Sequence, residues 1–520
     1  MKRQVLAAMA IIVALSIGTV GCSKLSSGLG QAAATTQEQS STTETGTTDD
    51  TMFTERDLDS TYDEASATKV QLSDADSTAE GEGVTVEGNI IRITEEGTYL
   101  VSGTLSDGQI QVEVEDTAKV QIVLDGVSIS NASSAPIYIK QADKVFVTLA
   151  EGSENTLKVT GEFVQTDDNN VDGAIFSKED LTLNGQGSLT IQDAYGHGIV
   201  SKDDLAITSG SYTIDSAKQG LSGKNSVRIA DGKIRIQSDT DGIHSENTED
   251  TSLGFVYIEG GEIQISAADD GIKGTQKIQI VGGTVEVTSS TEGMESALID
   301  ISGGKVDVTS TDDGLNATDG STSSQGGFGG DAAQDVSIRI SGGVTSVDAS
   351  GDGLDSNGAI EISGGEVYVS GPTNDGNGGL DYAGEAVVTG GTVVVTGSSG
   401  MAQNFGSSST QGSILLNVGN QEAGSAITVK DQNGNEVASF TAKKAYSSVV
   451  ISAEGLEQGS TYTVTAGSGS TEVTLDTLIY GEGSQQPGGR GGNMGQQPGG
   501  NGGPGSMGGQ RPQDGQSTNQ

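Results

Sequence analysis

Between residues 239 and 355, five short segments set a carboxylate directly before a glycine and an apolar residue. They are Asp241-Gly242-Ile243, Asp270-Gly271-Ile272, Glu292-Gly293-Met294, Asp313-Gly314-Leu315 and Asp352-Gly353-Leu354. Asp239, Asp269 and Asp312 stand one or two residues earlier, and Asp355 stands just after. In a chain that repeats at this spacing, like residues stack, so these acids are expected to form two neighbouring columns. Carboxylates one strand spacing apart, about 4.8 Å, repel by about 1 kcal/mol in water and by several at an effective dielectric near 20. Such a row is unfavourable unless cations lie between its members. Calcium accepts about six to eight oxygens from carboxylates, turn carbonyls and water. Asp239, Asp241, Asp269, Asp270, Glu292, Asp312, Asp313, Asp352 and Asp355 are therefore read as ligands for Ca2+. Glu246, Glu295 and Asp381 are placed to add oxygens. Asp-Gly is also a good turn-former, which accounts for any single position. It does not account for the column, because Asn or Ser would turn the chain without the repulsion.

The elements that must hold these columns follow from the period. The apolar residue after each glycine recurs at 199, 221, 243, 272, 294, 315, 354, 380 and 401, steps of about 22 residues with some longer. A second marker keeps the same beat at Gly260-Gly261, Gly282-Gly283, Gly303-Gly304, Gly342-Gly343 and Gly364-Gly365. Each unit carries short alternating runs such as Lys277-Ile278-Gln279-Ile280 and Thr284-Val285-Glu286-Val287, and none shows a helical apolar period. Three short strands joined by tight turns fill such a unit, which predicts an all-β parallel β-helix. The longer steps are ordinary coils with inserted loops, the largest including the Gly/Ser-rich run 321–330.

The composition agrees. The 520 residues include 80 Gly, 6 Pro and no Trp, and the net charge is -45. A polyanion excludes nucleic acid as a partner, because that needs a basic footprint. Lys2 and Arg3, an apolar run from Val5 to Ile17, and Thr19-Val20-Gly21-Cys22 read as a bacterial secretory signal whose small residues resemble a lipobox. Cys22, the single cysteine, is then the lipidated residue, and the chain is anchored at the extracellular face of the membrane of a Gram-positive cell. The expected organisation is a signal over 1–22, a Ser/Thr-rich linker over 23–51 and the β-helix over 52–410. A β cap or small β domain follows over 411–480, then a Gly/Gln/Pro-rich disordered tail over 481–520.

Several segments, in order, resemble a known family. They include Phe53-Thr54-Glu55-Arg56-Asp57-Leu58-Asp59, Leu124-Asp125-Gly126-Val127 and Ser134-Ala135-Pro136-Ile137-Tyr138. Asp172-Gly173-Ala174-Ile175-Phe176-Ser177-Lys178 and His197-Gly198-Ile199-Val200-Ser201-Lys202-Asp203-Asp204-Leu205 continue the series. Together they are similar to the bacterial carbohydrate-binding domain-containing surface proteins, the cellulose- and pectin-binding β-helices. The resemblance, over about residues 52 to 400, implies a right-handed β-helix with bound calcium, shaped like calcium-dependent pectate lyases, that binds polysaccharide. The expected partner is polygalacturonate or cellulose, bound by a monomer. An anionic protein needs a bridging cation to attract polygalacturonate. Cellulose binding relies on aromatic strips, and aromatics are 4% here. The acidic polymer is therefore favoured. Tyr195, Tyr212, Tyr257, Tyr368 and Tyr382 are the tyrosines considered, with Tyr257, Tyr368 and Tyr382, together with Lys273, taken as sugar-binding. The alternative is a polysaccharide lyase, in which a metal acidifies a uronate C–H and a base removes the proton. The resemblance implies a Lys or Arg base, for which Lys273 is the candidate, and its bland role is to offset the acids.

Overall fold

The computed structural model describes residues 52–320, 333 and 335–481. The expectations for the signal, Cys22, the 23–51 linker, the 321–330 insertion and the tail past 481 concern residues outside these. The described chain is all-β apart from one four-residue helix, Glu55–Leu58, and most of its strands belong to one large, mostly parallel sheet. Among the described residues no helix is long and apolar enough to cross a membrane.

The strands form where residues alternate. Lys233–Ser238 reads KIRIQS and alternates exposed with buried, so Ile234 and Ile236 face inward. Like strands of successive units pair in parallel, giving three ladders. One ladder runs through Ser211–Ser216, Lys233–Ser238 and Glu262–Ala267 to Thr392–Gly397. A second runs through His197–Ser201, Ile243–Ser245 and Leu315–Ala317 to Leu380–Tyr382. The third runs from Lys144–Leu149 through Asp204–Ile207 to Ala386–Val388.

Register makes the core. Ile214, Ile236, Ile265, Val287, Val308, Val347, Val369 and Val395 stand in one inward row. All are buried within one apolar cluster that extends from Val70 to Val450. Burial of each such side chain stabilises by about 2 kcal/mol. The two glycine markers serve different ends. In the Gly-Gly pairs the second glycine, as in Gly283, Gly304 and Gly343, has φ between 73 and 78, a conformation that penalises a side chain. The glycine after each acid is needed for close approach instead. A Cβ on Gly293 would lie 2.2 Å from the carbonyl oxygen of Gly314 and from Val308 Cγ1.

Two flanking pieces pack on the ladders. The segment from Met52 to Thr61 crosses the outer face of the third ladder. Thr54 and Asp57 form a capping box, and Asp57 Oδ1 meets Lys144 Nζ at 2.8 Å and accepts from Thr182 Oγ1 at 2.6 Å. Arg228 donates to the Met52 carbonyl at 2.8 Å, and Arg56 lies 4.5 Å over the Phe146 ring. At the other end Tyr446–Ser452 pairs antiparallel with Thr392–Gly397, covering the last strand of the first ladder. A separate four-stranded sheet of Ala426–Lys430, Glu436–Thr441, Thr461–Ala466 and Gly469–Thr474 follows, with its own apolar cluster.

Candidate metal and saccharide site

The turn between the first and second ladders stacks as the spacing predicts. The amides of Gly242, Gly271, Gly293 and Gly314 donate to the carbonyls of Asp270, Glu292, Asp313 and Asp352 at 2.9 Å. This sets Asp241, Asp270, Glu292, Asp313 and Asp352 in one column. A second column faces it from the strand that follows, where His244, Lys273, Glu295, Asn316, Asp355 and Asp381 are successive register partners. Each turn acid is therefore followed three places on by a member of this second column, whose type and partner differ from unit to unit.

At the first units the acid has a basic partner. His244 Nδ1 lies 2.6 Å from Asp241 Oδ2. Burial raises the Asp241 pKa, but the His244 hydrogen bond and charge outweigh it and leave the group below its ordinary value. Lys273 Nζ lies 2.8 Å from both Asp270 Oδ2 and Glu295 Oε1. Burial alone would lower the ammonium's pKa; the two carboxylates more than offset it and hold Lys273 charged. A β-elimination base must accept a proton, and this amine keeps its own. Burial nevertheless pushes the buried Asp270 up to about 6. Glu292, beside Glu295 and bonded by Asn316 at 2.8 Å, is pushed well above the carboxylate range by burial and its acidic neighbours.

Further along, the cations run out. Carboxylate oxygens of Asp313, Asp352 and Asp355 lie within 4.8 Å of one another. Among the described residues no Lys, Arg or His forms an ion pair with them. Burial, then the charges of its acidic neighbours, lifts Asp352 to about 7 and Asp355 to about 8, and Asp313 is raised as well. Asp313 Oδ1 accepts from the Asp352 amide at 2.6 Å, which leaves further carboxylate oxygens for a ligand. Two other groups meet the same distance test on this column, Asp241 with Asp269 and Asp270, and Asp270 with Glu292 and Glu295. An oxygen-only donor set of half-buried carboxylates fits calcium.

Asp239 and Asp312 do not join these groups. Backbone hydrogen bonds link Thr240, Asp269, Thr291 and Asp312 in the adjoining row, which leaves Asp239 outside it, and both aspartates are exposed. The two threonines interrupt the second column that the spacing predicted, and Asp269 alone of its three acids reaches a cluster.

The tyrosine expectation is corrected. Tyr257 is 6% exposed and packs against Phe53, 6.2 Å between ring centroids, under the crossing N-terminal segment. Tyr368 stacks on Phe440 at 5.3 Å, and its hydroxyl donates to Glu366. The Tyr382 ring packs on the core and its hydroxyl donates to the Asn404 carbonyl. Each ring thus has a partner within the chain. Tyr212 is fully buried, and Tyr195 is 42% exposed. One acidic group went unread: Asp180, Asp203 and Asp204, on the outer edge of the third ladder, whose signal was the Lys178-Glu179-Asp180 and Lys202-Asp203-Asp204 echo. Arg228 lies 2.8 Å from Asp204, so this group has a built-in cation.

Residues 87–376 match the family profile described as "Carbohydrate-binding domain-containing protein". A relative of that description from Acetivibrio thermocellus is 42% identical over 135 residues, which are 26% of this chain and 47% of the relative. The chain thus spans about half the length of that relative. A solved structure described as "Structure of the polysaccharide lyase-like protein from C. thermocellum, Gadolinium derivative" is 37% identical. It covers 46% of this chain and is itself covered in full, with a TM-score of 0.45.

Proposed function

We propose, from the premise that the chain belongs to the carbohydrate-binding domain-containing protein family, that it is a calcium-bearing module for acidic, pectin-like polysaccharide. In this reading the three ladders are the faces of a right-handed parallel β-helix, the hand that parallel crossovers strongly favour. The module is exported and held at the outer face of the membrane through Cys22.

One observation carries the reading. Asp313, Asp352 and Asp355 converge half-buried with no cation of the described residues paired to them, whereas Asp241 and Asp270 on the same column are paired with His244 and Lys273. A divalent ion supplies the charge that is missing there. Calcium held by Asp313, Asp352 and Asp355 would also leave coordination positions for a uronate carboxylate, which is how two polyanions attract. Lys273, protonated between Asp270 and Glu295, serves this column as a fixed cation, which supports binding over β-elimination.

Calorimetry of the protein against polygalacturonate, with calcium and with chelator, tests the proposal, while ultraviolet absorbance reports any unsaturated product. Binding in calcium alone with flat absorbance is expected. Equal binding in chelator would remove the calcium bridge, and rising absorbance that Lys273→Ala abolishes would make the protein a lyase.

A further inference from the structure

Two lysines on the strand Ile272–Ile280 stand in opposite surroundings. Lys273 is held by Asp270 and Glu295, whereas Lys277, on the same strand, has no such partner. Among the described residues no ion pair or hydrogen bond reaches its ammonium. Its place in the third ladder explains why. The register sets Phe255 beside it on one side and Leu298 on the other, so both same-face neighbours are apolar. A β-bulge directly precedes it: the register shifts between Gly274 and Lys277, which sets Thr275 and Gln276 against Ala297. Gly274 closes this turn, where a Cβ would lie 2.7 Å from the Lys277 carbonyl oxygen.

The field of a chain with net charge -45 favours the ammonium form of every lysine, so only local burial can oppose it. At half-buried Lys277 it does. Burial pushes the ammonium below its ordinary value; Asp300 pulls it up less strongly, and Arg339 adds to the fall. Lys69, Lys273 and Lys305, each bonded to a carboxylate, are raised instead. A desolvated amine that sheds its proton more readily is the usual form of a nucleophilic lysine. Unlike Lys273, this one can offer its lone pair.

We infer that Lys277 is a covalent capture site for uncharged aldehydes, framed by Phe255 and Leu298. The free amine adds to the carbonyl carbon. The C–N bond forms, the carbonyl oxygen leaves as water, and an imine remains, with nothing oxidised or reduced. The apolar frame favours an uncharged carbonyl compound over an anionic one. In the carbohydrate-binding reading above, the open-chain reducing end of a saccharide is one such aldehyde. The reactivity of the amine does not depend on that reading.

The test is incubation of the full chain with glycolaldehyde and cyanoborohydride, which traps the imine as a stable amine, followed by peptide mass mapping. At about pH 7.5 Lys277 should be labelled severalfold faster than the exposed Lys178, and at about pH 11, where both amines are free, the rates should converge. Lys277→Arg should remove the fast adduct. Leu298→Asp, which sets a carboxylate beside the ammonium, should slow it to the rate of Lys178. Equal rates near neutral pH, a ratio that does not change with pH, or a fast adduct that survives Lys277→Arg overturns the inference. A reducing trisaccharide in place of glycolaldehyde identifies the source: an adduct assigns it to the saccharide end, and none restricts the site to small free aldehydes. Polygalacturonate binding in calcium, measured on the same chain, reports separately on the main reading.

Discussion

Three places past each turn acid, one side chain sets the local charge. His244 and Lys273 pair with Asp241 and Asp270, Asn316 turns to Glu292 and gives Asp313 no partner, and Asp355 adds a second acid beside Asp352. The sign of the pH response follows. Asp352 and Asp355 bind protons more tightly folded, at about 7 and about 8, than in an unfolded chain, where carboxylates titrate near about 4. The folded state then holds more protons between these values, so stability of the calcium-free protein should rise as pH falls from about 8 towards 5. Asp57 acts oppositely. Burial raises its pKa, but Lys144, Thr182 and Thr54 outweigh it and hold it at about 2, so its contribution is lost as pH falls from about 4 through 2. Melting temperature against pH in chelator should thus pass through a maximum near about 5; a steady fall from pH 8 downward would show that burial and neighbouring charge do not raise the column acids. Asp355→Asn should raise the melting temperature in chelator and weaken calcium binding about tenfold or more, opposite effects from one substitution. The acids of the turn column were legible in the sequence, because a fixed step before Gly and an apolar residue puts them in line. Their inequality was legible only in part, since besides the residue three places on it depends on contacts between units, such as Lys273 with Glu295 and Asn316 with Glu292.

At the scale of elements, spacing of the glycines matters as much as their number. Gly293→Ala should destabilise by about 2 kcal/mol or more in chemical denaturation, because its Cβ would meet backbone and a core valine. A cost below about 0.5 kcal/mol would mean the stacked turns are looser than described. Removing Asp57 leaves Lys144, with a side chain 10% exposed, without its close partner. Asp57→Ala should therefore cost about 3 kcal/mol. The alternating strands and the Gly-Gly turns could be read from the sequence because both are local patterns. The crossing of Met52–Thr61 over the third ladder could not, for it joins residues some hundred or more positions apart, as Asp57 joins Thr182. That crossing is also why the tyrosines misled: Tyr257 looks available until Phe53 is laid on it.

For the whole molecule the charge of -45 sets the terms of every encounter. It opposes any acidic polymer that comes within a Debye length, about 8 Å at physiological salt, so in this reading attraction has to be made locally by bound cations. Calcium binding only the folded chain should stabilise it by about 2.7 kcal/mol at a hundredfold excess over its dissociation constant, and magnesium, which tolerates few all-protein oxygen cages, by much less. The most direct test of the account is anomalous diffraction from crystals grown in saturating calcium. The account predicts an ion among Asp313, Asp352 and Asp355, with carboxylate oxygens at about 2.3 to 2.6 Å. No anomalous peak at any of the acid groups on this column would contradict it.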